Sequence, residues 1–144
     1  MKQATPPNAP ITLPSDLTVL ERGWLSANNM LFQGQHGTAL VDSGYSSHAD
    51  QTVDLVAASL NGKPLDLLIN THLHSDHCGG NAALQQHWPE LITRIPPGQL
   101  GEVRDWNPVA LGYQPTGQHC PPFKADGTLT PGTDVALGDR LWQV

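Results

Sequence analysis

The sequence predicts a mixed α/β domain (α+β), with helices covering a mixed sheet, and three observations carry that expectation. Short β-like runs alternate with runs of helical period along the chain. One apolar stretch, LDLLIN (65–70), is too short for a helix and reads as a strand buried on both faces. Turn residues are abundant: the 144 residues include 14 glycines and 13 prolines, which suits a loop-rich globular domain and not a coiled coil.

The elements follow in order. Residues 1–16 are Pro-rich and predict an irregular lead-in, ahead of one domain over 17–144. LTVLERG (17–23), NNMLFQG (28–34) and TALVDSG (38–44) are β-like runs separated by Gly-containing turns, which predicts an antiparallel meander. SSHADQTVDLVAASLNGK (46–63) switches to helical spacing. Val53, Val56, Ala57 and Leu60 fall on one face, and Gly62 sits where a C-terminal cap belongs. After the strand at 65–70 come a loop over 71–78, a helix over GNAALQQHW (80–88) stopped by Pro89, and a strand at LITRIP (91–96). Residues 96–123 are crowded with Pro and Gly and predict a long excursion loop, with a short helix near GQLGEVRDW (98–106). DGTLTPGTDVALGDRLWQV (126–144) alternates turn signals with β runs, as a hairpin does.

Composition removes several function classes. Seven basic against 13 acidic residues give a net charge of −6, and no basic stripe is present for a nucleic-acid partner. No stretch reaches the roughly 20 apolar residues of a membrane span. The N-terminus lacks the apolar core of a secretory signal, so cytoplasm is the expected compartment, with an exported parent left open. Two cysteines, Cys78 and Cys120, are too few for a disulfide framework; one bridge between them is the alternative, and two reduced thiols are the expected state.

The chemistry concentrates in THLHSDHCGG (71–80). Three of the chain's seven histidines fall there, after a strand and before a Gly-Gly helix start. His72 and His74 are two apart, so in extended backbone both imidazoles point the same way and can grip one cation. Asp76 and His77 follow where the chain begins to turn, and they aim at a neighbouring point, the place for a second cation. Gly79 and Gly80 let backbone pass close by. Imidazole and carboxylate together suit Zn²⁺, and two such ions can share a hydroxide and polarise a carbonyl. Asp76 is also placed to hold a nucleophilic water. The bland alternative is three surface histidines and an Asx-turn aspartate. It leaves the H-x-H-x-D-H spacing and the strand-to-helix context unexplained together.

THLHSDHCGG resembles the H-x-H-x-D-H signature of the metallo-β-lactamase-fold hydrolase superfamily. MLFQGQHGTALVDSG resembles that family's opening strands, with its Asp-x-Gly turn at Asp42, Ser43 and Gly44, and GTDVALGDRLWQV resembles its mid-domain hairpin. The likeness spans roughly residues 17 to 144 and implies the N-terminal half of an αββα sandwich. It implies one or two metal ions, usually zinc, with iron or manganese as variants. His72 and His74 would ligate the first metal, and Asp76 and His77 the second, with Asp76 also catalytic. Asp42 would lie beneath the site, or serve as a plain turn aspartate. His119, Cys120 and Cys78 are not promoted to ligands.

The resemblance further implies a metal-dependent hydrolase of an ester, thioester or amide/lactam bond, acting on a small molecule through a metal-bound hydroxide; glyoxalase II-type thioester cleavage belongs to this chemistry. The family's remaining ligands would follow beyond Val144, so the expectation is a domain truncated before its C-terminal half. Such a half would expose an apolar sheet face and an unpaired strand edge, and would associate with another copy or with the missing half. A catalytically silent, assembly-forming domain with an incomplete metal site is the second reading.

Overall fold

Strand pairing builds the molecule outward from an antiparallel trio at one side of the sheet. In the computed structural model, which describes residues 10–144, β1 (Leu17–Leu20), β2 (Asn29–Gly34) and β3 (Gly37–Val41) form the expected antiparallel meander, in register Leu31↔Leu40 and Met30↔Val41. Residues 1–9 of the expected lead-in lie outside the described residues. A 3₁₀ turn at Ser46–His48 leads into α1 (Ala49–Leu60), and the chain returns as β4 (Leu67–Ile69), parallel to β3. A single helical turn, α2 (Ser75–Cys78), and α3 (Asn81–His87) carry it to β5 (Ile92–Ile95), parallel to β4. Beyond α4 (Leu100–Arg104), the short β6 (Gly127–Thr128) completes a mixed six-stranded sheet in chain order β1 to β6. The hairpin of β7 (Asp134–Leu137) and β8 (Arg140–Gln143) forms a separate two-stranded sheet.

The two-residue period of the strands divides the core. Leu31, Leu40 and Leu68 point to one face, where α1 and α3 cover them with Val56, Leu60 and Leu84. Phe32, Ala39, Val41 and Ile69 point to the other, where Leu137 of the hairpin is buried among them and Val135 and Trp142 pack alongside. Trp142 meets Phe32 edge-on at 5.5 Å between ring centroids, a favoured aromatic arrangement. The hairpin is also clasped at its turn. Asp16 Oδ2 accepts the Asp139 N–H at 2.7 Å, and Asp139 Oδ1 accepts the Gln35 N–H at 2.7 Å. The described residues therefore form three layers: helices, sheet and hairpin.

This corrects one expectation. The second sheet face is not left bare, because the chain carries its own first cover in β7–β8. What stays open lies at the margins, with Ile92 44% and Leu141 66% exposed. Three smaller differences have local causes. Asn61 (φ 50°) takes the left-handed position that ends α1, with its N–H on Ala57 O, one residue before the expected Gly62. Leu67 of β4 is only half-buried, because the hairpin covers it incompletely. The excursion over 96–123 is not a solvated loop: Val103, Leu111, Tyr113, Cys120 and Phe123 build a further core with Leu73, Cys78 and Ile95. Among the described residues no helix is long and apolar enough to cross a membrane.

The layer model makes a direct prediction. Leu68→Ala, at a position with no exposure, should cost about 2–5 kcal/mol. Leu141→Ser on the open side of the hairpin should stay within roughly 0.5 kcal/mol of the parent. Urea denaturation midpoints of the two variants measure the contrast.

Candidate metal centre

All four residues of the H-x-H-x-D-H motif lie at the C-terminal end of β4, the edge where open α/β sheets place their sites. His72 and His74 occupy the extended segment that leaves the strand. Asp76 and His77 are in α2, where a loop was expected. The turn closes because the N–H groups of His77 and Cys78 both reach His74 O, at 2.9 and 3.1 Å. It is held from the excursion: Gln118 Oε1 accepts the Ser75 N–H at 3.1 Å and the Ser75 hydroxyl at 2.6 Å. From the other side, Asp76 O accepts the Ala27 N–H at 2.9 Å.

Both glycines after the motif are required by close approach. A Cβ on Gly80 would collide with Ser43 O, and one on Gly79 would lie 2.5 Å from both Ser46 N and Ser75 O. The helix start is thereby pressed against the end of β3. There, Ser43, Asn70 and Asn81, all without exposure, bond one another. Ser43 Oγ donates to Asn81 Oδ1 at 2.6 Å, and Asn81 Nδ2 donates to Asn70 Oδ1 at 2.6 Å. His77 O accepts the Ser43 N–H at 2.7 Å.

Asp42 settles the question left by its turn position. It is buried, at 3% exposure, with a left-handed backbone (φ 62°) rare outside glycine. Its Oδ1 accepts the Thr71 N–H at 2.9 Å. Its Oδ2 accepts the Thr71 hydroxyl at 2.7 Å and the His77 Nδ1–H at 2.7 Å. An ionised carboxylate only accepts, so Nδ1 of His77 carries the proton and Nε2 is left for another partner. That Nε2 lies 3.4 Å from Asp76 Oδ2. The His72 ring centroid is 3.9 Å from that of His77 and 4.6 Å from that of His74. Burial, followed by the His77 and His74 charges, lowers the pKa of His72 below its ordinary 6.5, with Asp42 and Asp76 pulling the other way. The neutral, ligand-competent form of His72 is favoured.

Three imidazoles and a carboxylate are thus brought together. Among the described residues no group of three or more His, Cys, Asp or Glu side chains is placed so that it could hold a metal ion. The donor set nevertheless fits a borderline cation: nitrogen and carboxylate oxygen are what Zn²⁺ takes, and a carboxylate on the far ring nitrogen is the usual support of a ligating histidine. Asp76 is 44% and His77 23% exposed at the side chain, so the cluster is open to solvent. An adjoining cavity of about 350 Å³ is lined by Leu25, Tyr45, His74, Asp76, Gly117 and Gln118.

His119 and the two cysteines serve other contacts. His119 meets Tyr45 and Ser46 through its backbone. Cys78 and Cys120 are buried free thiols in the core under the excursion, in keeping with a packing role. Thr71, Gln118 and the Ser43–Asn70–Asn81 set escape the sequence reading. Isolated Asn, Gln, Ser and Thr carry no periodic signal, and only Thr71, adjoining the motif, could have been suspected.

The model of the Metallo-beta-lactamase superfamily matches residues 22–143. The chain belongs to the metallo-β-lactamase superfamily. Its fold is shared with solved metallo-β-lactamases. FEZ-1 of Legionella gormanii has 17% identity and a TM-score of 0.69 over 88% of this chain and 48% of that one. The subclass B3 enzyme BJP-1 of Bradyrhizobium japonicum has 23% identity and a TM-score of 0.66 over 99% and 53%. MIM-2 has 25% identity and a TM-score of 0.66 over 86% and 46%. No curated protein matches the chain. The chain spans about half the length of these superfamily structures.

Gly80→Ala tests the close approach behind the motif. The added methyl meets Ser43 O and should cost about 1–3 kcal/mol, read as a lower urea midpoint.

Proposed function

We propose that this chain carries the metal-binding half of a metal-dependent hydrolase that cleaves an ester, thioester or amide/lactam bond of a small molecule. Superfamily membership supports the hydrolase class. The observation that carries the metal reading is the grouping of His72, His74 and His77 beside Asp76, with Asp42 bonded to His77 Nδ1 at 2.7 Å. His72 and His74 would hold one cation, Asp76 and His77 a second, with zinc the best match to the donors. A bound zinc ion supplies Lewis acidity and activates water for attack on a carbonyl.

The chain's own residues account for the remaining roles. Asp42 fixes the His77 ring. Asp76, with 44% of its side chain exposed, can accept a proton from an attacking water. Tyr45, Leu25 and Gln118 wall the cavity in which an acyl group would rest.

Because the chain spans about half of the superfamily structures it resembles, a second reading concerns this span alone: it binds metal and turns over no substrate. Another copy, or a complementing segment, would then supply further donors.

Three measurements test the site. Elemental analysis after gel filtration should find one to two zinc ions per chain, and His72→Ala should lose metal. Retention of full metal by His72→Ala would sink the assignment. Asp42→Asn should weaken zinc about 10–100-fold, measured by competition with a chromogenic chelator. The pH course follows from His72. Its pKa in the folded chain is lowered, so its contribution to zinc binding is full above about pH 6.5 and is lost as pH falls through the lowered value. Chelator titrations at stepped pH should show that decline.

A further inference from the structure

The chain has only two cysteines, and the fold brings them together across a separation of 42 residues. Cys78 ends α2, directly after His77, and Cys120 comes from the excursion. Their sulfurs lie 3.8 Å apart. A disulfide needs an S–S distance of about 2.05 Å, so the two sulfurs, already in contact, must approach further to bond. Both are buried, Cys78 without exposure and Cys120 with 7%, so Cys120 is the sulfur nearer to solvent. Tyr113 locks the arrangement: its hydroxyl donates to Leu73 O at 2.8 Å and lies 3.2 Å from Cys78 Sγ.

We propose that Cys78 and Cys120 are a reversible oxidation site whose disulfide staples the excursion loop to the helical turn carrying Asp76 and His77. Hydrogen peroxide serves as oxidant. The sulfur of Cys120 attacks one peroxide oxygen, the O–O bond breaks, and water leaves as Cys120 becomes a sulfenic acid. The sulfur of Cys78 then displaces that hydroxyl, the S–S bond forms, and a second water leaves. Two electrons pass from the thiols to the peroxide, and both thiol protons end in the waters. A dithiol reductant reverses the reaction by exchange.

The staple would act on the cavity beside the motif. Cys120 follows Gln118 by two residues, and Gln118 both caps Ser75 and walls the cavity next to His74 and Asp76. Oxidation would hold that wall in place, and reduction would free it. This inference does not depend on the metal assignment, since neither sulfur is a proposed ligand.

The test uses the wild-type chain. It is treated with hydrogen peroxide, unfolded in urea, alkylated with iodoacetamide and digested with trypsin. Cleavage at Arg22, Arg94, Arg104 and Lys124 puts Cys78 in peptide 23–94 and Cys120 in peptide 105–124. The expected result is these two peptides joined, an intact mass lower by about 2 Da, and full reversal by dithiothreitol. The oxidised chain should melt roughly 10 °C higher and show slower amide exchange over 96–123. Cys120→Ser, or Cys120→Val if the serine variant folds poorly, should show neither change on peroxide treatment. Two alkylated thiols after treatment, sulfinic or sulfonic acid in place of the joined peptide, or joining only between chains would overturn the proposal.

Discussion

Asp42 ties three pieces of backbone to one carboxylate. Its own N–H bonds Ile69 O, its oxygens take the Thr71 N–H and hydroxyl, and the same group takes the His77 Nδ1–H. The end of β3, the exit from β4 and the turn of α2 are thus held by one side chain buried to 3% exposure. An isolated buried carboxylate would be costly to desolvate. Here three donors offset that cost, each charge-assisted bond contributing about 1.5–3 kcal/mol. The surplus also tolerates a left-handed φ of 62°, a strain of about 1–3 kcal/mol. Strain of this kind persists only where its surroundings over-determine it, and here they do.

Around this clamp the polar interior is satisfied by shape. Asn29, without exposure, donates to Asp42 O at 2.9 Å, and Arg22 Nη1 donates to Asn29 Oδ1 at 2.8 Å. Arg22 also reaches Thr52 Oγ1 at 2.6 Å, which links the β1–β2 connection to the start of α1. Together with Ser43, Asn70 and Asn81 these groups form a polar layer between the leucine core under the helices and the open end of the sheet. Low local dielectric makes each unpaired member expensive, so such a layer rigidifies when complete. The histidines are carried by that rigidity and not by their own contacts, which helps explain how so exposed a cluster keeps its rings within 3.9 and 4.6 Å.

The excursion and the hairpin show how one chain supplies both faces of its sheet. The hairpin buries Leu137 against Phe32, Val41 and Ile69. The excursion buries Tyr113 and Phe123 against Leu73 and Ile95, beneath the motif. The motif loop is therefore packed from below by the excursion core, fixed behind by Asp42, and open only toward the cavity. The proposed hydrolytic role would use that asymmetry, with rigid donors on one side and room for a ligand on the other. The superfamily match over 22–143 gives the arrangement its family context.

Much of this was legible before any coordinates. H-x-H-x-D-H marked a candidate metal site because ligand spacing is local, and two residues apart in extended chain means one side. Strand and helix positions followed from apolar period, since burial of one face repeats every 2 or 3.6 residues. Two glycines together signalled close backbone, although the partner, Ser43, lies 37 residues away. What stayed hidden was whatever depends on distant pairing. Asp42 could equally have been a plain turn residue until Thr71 and His77 were seen to bond it. Gln118 and Tyr113 gave no sign of reaching Ser75 and Leu73. Two cysteines that read as separate packing residues prove to touch. Sequence by itself determined the candidate donors and the order of the elements, because those rest on neighbours along the chain. Tertiary structure alone decided which polar groups support the donors, because a hydrogen bond across 35 or 43 residues leaves no periodic trace and exists only once the sheet has closed the distance.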